Sequence, residues 1–355
     1  MALSRIIGLR TAAIGLALLI AAQLVASFLI APRRAAIVPN AEIHQALTPG
    51  EFAGTLMLGG FRGLACDLLW MRADGAKQAG RFYEYVALYG AISRIQPRFE
   101  LVWEYLAYDM VYNLPAQIED RQSKWAWYVA GVSANARGLE RNPGSERLAA
   151  HLAFLFMHRT DDAGFTTDFA ARDWRPVLAP AVAAVNRALP ADRRLDLDLS
   201  PGRTSFALAA DFYALAVRIG ETQRYPVIAT RRRSIPLALE FDGNLYHGKG
   251  EHRRALLRWL DALAVWQSEL AWIASPPDYV SRDHLRWSSD ISVKNEGRLR
   301  RRAALLAERL APTPETGKAA AMLVEERRYA EARTALTAPG WRDAVATGRI
   351  RWLGE

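Results

Sequence analysis

Residues 243–262 read GNLYHGKGEHRRALLRWLDA. Small side chains at Gly243 and Ala255 recur in this stretch beside two large aromatic ones, Tyr246 and Trp259. Glycine and alanine let two helices approach closely, and aromatic rings fill the adjoining holes. The spacing therefore predicts a pair of tightly packed helices.

The same mixture of small and aromatic residues recurs elsewhere in the chain. It is found in residues 80–107, 143–156 and 320–338. In the first of these, Pro97 is followed six residues later by Trp103, which begins the next helical pattern. Pro143 is followed by a helical pattern at the same interval, and it lies 46 residues after Pro97. The helix pair is thus repeated, with insertions between some of the copies.

This arrangement resembles the tetratricopeptide repeat (TPR), a helix pair of about 34 residues with small residues at the crossing and proline after the second helix. The resemblance covers residues 80–160 and 238–338. Residues 58–114, from LGGFRGLACDLLW to AYDMVYNL, are also similar to the start of a group of bacterial membrane-anchored TPR-like proteins of mostly unassigned role. The resemblance implies an all-α fold, an irregular TPR-like α-solenoid that binds partner segments.

Three regions follow from the distribution of the repeats. Residues 52–160 are predicted to form TPR-like repeats, and residues 238–355 to form further repeats with a C-terminal cap. Residues 161–237 match no unit and are interpreted as an irregular helical connector region. Within it, residues 195–199 (LDLDL) alternate strictly, but five residues between prolines predict an extended connector rather than a sheet.

The N-terminal segment is predicted to cross a membrane. Residues 11–32, TAAIGLALLIAAQLVASFLIAP, are 22 consecutive uncharged residues between Arg10 and Arg33. At about 1.5 Å per residue they extend about 33 Å, enough for a hydrocarbon core of about 30 Å. A cleaved secretory signal is the alternative, but its apolar region has only about 7 to 15 residues. We therefore expect residues 1–32 to be a retained transmembrane anchor and residues 33–51 a tether.

Charge and cysteine content restrict the cellular setting. Positive charges flank the apolar run almost equally, with a small excess on its N-terminal side. The positive-inside rule then predicts a cytoplasmic N-terminus and an exported domain. Since the resemblance implies a bacterial protein, we expect a single-pass protein of the inner membrane with a periplasmic domain. The net charge of +9 is modest for 355 residues, so no nucleic-acid partner is expected. Cys66 is the only cysteine, and its apolar neighbours predict a small buried side chain.

No pattern in the sequence predicts a catalytic residue, a metal ligand or a cofactor. His151 and His158 are seven residues apart on a predicted helix, about 10 Å and too far for one ion, which favours a structural role. The glycine-rich residues 59–63 lack the strand and the lysine of a phosphate loop and predict a bend beside the membrane. Arginine clusters at 231–233 and 298–302 are interpreted as solvated faces, with contact to lipid head groups or an acidic partner as the alternative.

In TPR-like proteins the first helix of each repeat lines a concave surface that grips partner segments. The resemblance implies that the corresponding positions here are Glu104, Tyr108 and Tyr112 in one repeat, then Phe154 and His158 in the next. A spacing of four places each set on one stripe of a helix, and tyrosine offers a large rigid contact area with a polar tip. The alternative is that the aromatic members pack against neighbouring helices.

A second contact is predicted beside the membrane. Phe61, Arg62 and Trp70 would supply aromatic and guanidinium contacts there, and the glycines of residues 59–63 would permit close approach of another helix. We therefore expect a non-enzymatic scaffold or accessory subunit that stabilises an integral membrane protein complex, without a small-molecule substrate. A membrane-anchored envelope enzyme acting on glycan or peptide is the alternative.

Overall fold

The computed structural model describes residues 62–159 and 164–341, and all regular secondary structure in these residues is helical. The α-helices are α1 (Arg62–Gln78), α2 (Phe82–Ile95), α3 (Glu100–Tyr108), α4 (Arg121–Arg141), α5 (Glu146–His158), α6 (Thr166–Ala171), α7 (Arg175–Ala188), α8 (Ser205–Thr222), α9 (Ile228–Gly248), α10 (His252–Ala274), α11 (Arg282–Leu310), α12 (Pro314–Glu325) and α13 (Tyr329–Thr337). A π-helical turn, Asp109–Asn113, follows α3, and short 3₁₀ turns occupy Pro115–Gln117 and Ala191–Arg193. No strand occurs in the described residues, so the predicted all-α class is confirmed.

The predicted anchor, residues 1–32, and the predicted tether, residues 33–51, lie outside the described residues. Among residues 62–159 and 164–341, no helix is both long enough and apolar enough to cross a bilayer.

Four helices begin at side-chain caps that the sequence provides. Asp120 accepts a hydrogen bond from the backbone N–H of Ser123 at 2.6 Å where α4 begins. Ser145, Thr204 and Thr313 cap α5, α8 and α12 in the same way. Because the first N–H groups of a helix lack partners within the helix, a side-chain oxygen at this position favours a helix start there. These helix boundaries are therefore encoded locally.

Residues 62–106 belong to one compact unit, in which α1 packs against α2. Trp70 of α1 lies half-buried, with its ring centroid 5.2 Å from that of Tyr89 on α2. Trp103 is buried and donates its indole N–H to the carbonyl oxygen of Pro97 at 2.9 Å. Trp103 therefore belongs to the core of this unit.

The described residues from Ala107 to Trp341 belong to the second compact unit. In it α4 packs against α5 and α7, α5 packs against α8, and α8 to α13 pack in chain order, each against the next. Helices that mainly contact their neighbours along the chain are compatible with an α-solenoid. Residues 161–237, which match no repeat unit, contribute α8, a largely buried helix between α5 and α9.

The predicted connector at residues 195–199 is confirmed, because these residues form neither helix nor strand. Its first residue is fixed by the amide side chain of Asn186 on α7. The Asn186 Oδ1 accepts the backbone N–H of Leu195 at 3.1 Å, and the Asn186 Nδ2 donates to the carbonyl oxygen of Leu195 at 2.7 Å.

The packing predicted from residues 243–262 is also confirmed. Gly243 of α9 lies directly against Trp259 of α10, so that a methyl group at Gly243 would overlap the indole ring. Ala255 and Trp259 are fully buried, and Tyr246 is nearly so. Close contact between α9 and α10 therefore requires a residue without a side chain at position 243.

Gly243→Ala should destabilise the protein by about 1 to 3 kcal/mol, the usual cost of overpacking a filled core. The matched control is Gly248→Ala on the same helix, where a methyl group meets nothing within 4 Å. That change should be neutral or slightly stabilising, because alanine favours helix. Urea denaturation of both variants measures the difference, and equal stabilities would mean that α9 and α10 are not packed as described.

Candidate functional site

Four of the five residues predicted to bind a partner on the concave surface come together in the second unit. The Tyr108 and Tyr112 rings stack with centroids 4.6 Å apart and an interplanar angle of 24°. The Tyr112 centroid lies 6.1 Å from that of Phe154, and Phe154 lies 4.6 Å from His158. We call Tyr108, Tyr112, Phe154 and His158 the aromatic row. The sequence spacing predicted the two halves of this row, and the fold places them side by side.

The row is neither fully buried nor fully exposed. Tyr108 is 40% exposed and His158 is also exposed, whereas Tyr112 and Phe154 are half-buried. The Arg159 guanidinium carbon lies 5.3 Å from the centroid of the Tyr112 ring, in cation–π geometry. The row therefore presents ring surface, a phenol, an imidazole and a positive charge.

A π-helical turn orients Tyr112. The turn Asp109–Asn113 follows α3 directly, and its side chains Asn113 and Asp109 are hydrogen-bonded to each other. On α4, Gly131 lies so close that an added methyl group would come within 2.9 Å of the carbonyl oxygen of Ala107. Turns of this kind are rare and often occur at functional sites. The spacing of four between Tyr108 and Tyr112 predicted a continuous helical stripe here rather than this turn.

The ring of Phe154 packs against His151, which forms a buried polar pair with Asn135. The Nδ1 atom of His151 lies 2.7 Å from Oδ1 of Asn135, and the His151 ring stacks on Phe154 at 6.0 Å. Asn135 also donates from Nδ2 to the carbonyl oxygen of Leu148 at 2.8 Å. These contacts show a structural role for His151, as predicted, and they restrain the ring that faces Tyr112.

The other predicted site residues lie elsewhere or outside the described residues. Glu104 is half-buried on α3 within the first unit, and Phe61 lies outside the described residues. Arg62 is the first residue of α1. Trp70 contacts Tyr105 at 5.6 Å as well as Tyr89, and it therefore belongs to an aromatic cluster within the first unit.

A groove of about 610 Å³ lies beside the aromatic row, and His158 belongs to both. Its walls combine apolar side chains with one amide and one ammonium group; they are Met157, His158, Phe206, Phe241, Asn244, Leu245, Gly248 and Lys249. The rings of Phe206 and Phe241 lie 5.8 Å apart, edge to face. Apart from His158, these residues were not predicted from the sequence. Phe206 lies in the range without a repeat match, and Phe241 lies two residues before Gly243, where the quoted match begins.

Near the groove, two histidines on either side of the turn between α9 and α10 are in contact. The Nδ1 atoms of His247 and His252 are 2.9 Å apart, and the His247 ring lies 5.3 Å from that of Trp259. Burial, followed by the charges of His252 and Arg302, lowers the pKa of His247 to about 4. His247 is therefore neutral near pH 7. Burial also lowers the pKa of His252.

The arginine clusters are engaged inside the second unit. Arg231 bonds Glu146 at 2.5 Å, and Arg232 bonds Glu269 at 2.9 Å. Arg233 is only 7% exposed and lies over the Trp287 ring. The interpretation of residues 231–233 as a solvated face is therefore wrong for Arg233, because its guanidinium is enclosed between helices.

Within the described residues, no group of three or more histidine, cysteine, aspartate or glutamate side chains is arranged to hold a metal ion. The thiol of Cys66 is buried, as predicted, and burial raises its pKa.

Comparison with known proteins gives no match: no family model, no curated protein and no solved structure matches this chain.

His247→Gln should make the free energy of unfolding less sensitive to acid. The pKa of His247 is about 4 in the folded protein, against an ordinary value of 6.5. The stabilising contribution of neutral His247 is complete above about pH 6.5 and is lost as the pH falls towards about 4. Denaturation curves at the two pH values should show the wild type losing about 1 to 3 kcal/mol more than the variant.

The control is His284→Gln, which removes an exposed imidazole on α11. It should leave the acid sensitivity of the wild type unchanged. If the His247 and His284 variants lose stability in parallel with the wild type between pH 6.5 and pH 4, the described environment of His247 is wrong.

Proposed function

We propose that this protein is a non-enzymatic, membrane-anchored scaffold or accessory subunit that binds and stabilises an integral membrane protein complex. The aromatic row is the observation that carries the proposal. Each of its four rings lies within contact distance of the next, and the rings come from two separate helical segments and remain partly accessible to solvent. Such a surface suits a protein segment better than a reacting small molecule.

The row has the properties of an energetically important contact. Aromatic rings that are already ordered lose little conformational entropy on binding, and each one removes a large apolar area from water. The phenol of Tyr108 and the imidazole of His158 add hydrogen-bonding tips at the two ends of the row. The adjoining groove, about 610 Å³, has the size of a pocket that accepts a few side chains. An extended or helical segment with apolar side chains fits both features.

The membrane side of the proposal rests on the sequence. The 22 uncharged residues 11–32 are long enough to span a bilayer, and the flanking charges favour a periplasmic domain in a bacterial inner membrane. Lipid head groups remain a further partner through the anchor. The arginine clusters support this role less, because Arg231, Arg232 and Arg298 bind carboxylates of the same chain.

The burial and ion pairing of three carboxyl groups support binding rather than catalytic turnover. Glu240, Asp242 and Glu269 are buried, and each is ion-paired with arginine. Burial raises the pKa of all three, and the neighbouring arginines oppose that rise. Their surroundings explain them as structural anions at helix interfaces. An envelope enzyme acting on glycan or peptide is the alternative that purification tests.

Combined substitution of Tyr108 and Phe154 by alanine should remove most of the partner from complexes purified in mild detergent. Tyr108→Ala should lower the free energy of unfolding only slightly, because Tyr108 is 40% exposed. Phe154→Ala should lower it by about 1 to 3 kcal/mol, because Phe154 is half-buried. Tyr83→Ala on α2 is the control, since Tyr83 is an exposed tyrosine outside the row. Undiminished co-purification of the folded double variant would place the contact elsewhere. A lone chain that hydrolyses an envelope polymer would support the alternative.

Deleting residues 1–32 should release the protein from the membrane fraction with an unchanged helical circular-dichroism spectrum, because the helix contacts described above are all made between residues 62 and 341. A C-terminal alkaline phosphatase fusion to the full chain should be active, since this enzyme works only when exported. Aggregation of the fragment would argue against the division into anchor and helical domain. An inactive phosphatase beside an active cytoplasmic reporter would reverse the orientation.

A further inference from the structure

Helix α1 carries an exposed apolar stripe on the side that does not pack against α2. Leu64 and Leu68 are each 55% exposed, and Met71 is 63% exposed. Leu64, Leu68, Met71 and Gly75 are spaced by four, three and four residues. This is the spacing of the contact positions in a two-helix coiled coil, where apolar side chains of one helix insert between those of another. We call these four residues the α1 seam.

The opposite side of α1 is already occupied. Cys66, Ala73 and Ala76 are the buried residues of this helix. The seam is therefore not the helix's contact with its own unit. Single exposed leucines are common on protein surfaces, but three large apolar side chains in contact spacing form a continuous surface along the helix.

The charges beside the seam identify its occupant. In the heptad that places Leu64 and Met71 at d and Leu68 at a, Asp67 takes position g and Arg72 takes position e. In a parallel pair of identical helices, g of one helix faces the following e of the other, so Asp67 of each copy faces Arg72 of its partner. In an antiparallel pair the g positions face each other and Asp67 would oppose an aspartate. The flanking charges therefore favour parallel pairing of two copies of this chain.

Arg72 already has one partner within its own unit. Its Nε and one terminal nitrogen donate to Oε1 of Glu84 at 3.0 and 2.9 Å, and Glu84 is also bound by Arg81 at 2.8 Å. A guanidinium has five N–H donors, so two bonds to Glu84 leave donors for a second carboxylate. The contact with Glu84 also orders the Arg72 side chain before it meets a partner, which lowers the entropic cost of a second ion pair.

We propose that two copies of this chain associate through their α1 seams as a parallel, two-fold symmetric helix pair. Two-fold pairing brings the same patch of both copies together, and each ion pair is formed twice. Three half-exposed side chains per copy bury much less than the roughly 800 Å² per partner of a typical stable interface. The pair is therefore weak in free solution and forms when two copies are held close together. Confinement by a common anchor, which rests on the proposed function, provides that closeness.

The test is cysteine cross-linking of the full chain in membranes. In a Cys66→Ala background, Leu68→Cys places a thiol in the seam, and Gly63→Cys places one on the same helix away from it. Gly63 is a suitable control because it is exposed and a side chain there meets nothing within 4 Å. We expect mild oxidation to give several-fold more disulfide-linked dimer at position 68 than at position 63.

Exchanging the charges of Asp67 and Arg72 then tests whether these residues pair between two copies or only stabilise their own unit. Asp67→Arg in the Leu68→Cys chain should lower the dimer yield by about three- to tenfold, the range that the loss of two exposed ion pairs allows. Adding Arg72→Asp reverses both charges and should restore the yield, although it also removes the bond to Glu84. If Arg72 served only its own unit, the second change would lower the yield further.

Equal cross-linking at positions 63 and 68 would overturn the proposal, as would failure of the charge exchange to restore the yield. A disulfide from position 68 to a different protein would show that another partner covers the seam. Sedimentation of the same chain with membranes is measured in parallel. A seam dimer formed by a chain that does not sediment would contradict the membrane-anchored function and leave the pairing intact.

Discussion

Buried carboxylates at helix interfaces are the interaction on which the second unit depends. Four of them are at most 5% exposed. They pair across elements as Glu146 of α5 with Arg231 of α9, Glu269 of α10 with Arg232 of α9, Glu240 of α9 with Arg298 of α11, and Glu296 of α11 with Arg327 before α13. Removing one member would leave an uncompensated charge inside the protein, at a typical cost of about 3 to 5 kcal/mol. The pairs therefore favour one register of α5, α9, α10 and α11 over slipped alternatives.

The geometry of the aromatic row depends on this register of the helices. Glu146 is the first residue of α5, and Phe154 and His158 lie towards the end of the same helix. A shift of α5 along α9 would break the pair with Arg231 and would move both rings away from Tyr112. Glu296 shows how strong the local environment is: burial raises its pKa, but hydrogen bonds from Arg327 and Tyr329 outweigh burial and lower the pKa below its usual value. Ion pairing between α5 and α9 thus helps to position the aromatic row.

The sequence predicted those features that depend on local spacing. Glycine and alanine beside tryptophan predicted the α9–α10 pair, and spacing of four predicted the two halves of the aromatic row. Pairs such as Glu146 with Arg231 were not predictable, because 85 residues separate the partners and a run of three arginines reads as a surface feature. The π-helical turn escaped prediction for a similar reason, since it depends on the close approach of Gly131 on another helix. Sequence periodicity finds helices and stripes, whereas the choice among possible partners is made by packing.

The two contact surfaces differ in how they would act. The aromatic row offers preordered rings and a groove, which suits a foreign segment that fills them with apolar side chains. The α1 seam offers a short repeat with matching charges, which suits its own copy. Each surface alone is small, and small surfaces bind weakly in dilute solution because association itself costs several kcal/mol. Tethering changes this balance, because a second contact between molecules already held together occurs at a high effective concentration. A scaffold that works in this way needs several modest surfaces on rigid helices rather than one large interface, and the ion-paired helices of the second unit provide that rigidity for the aromatic row.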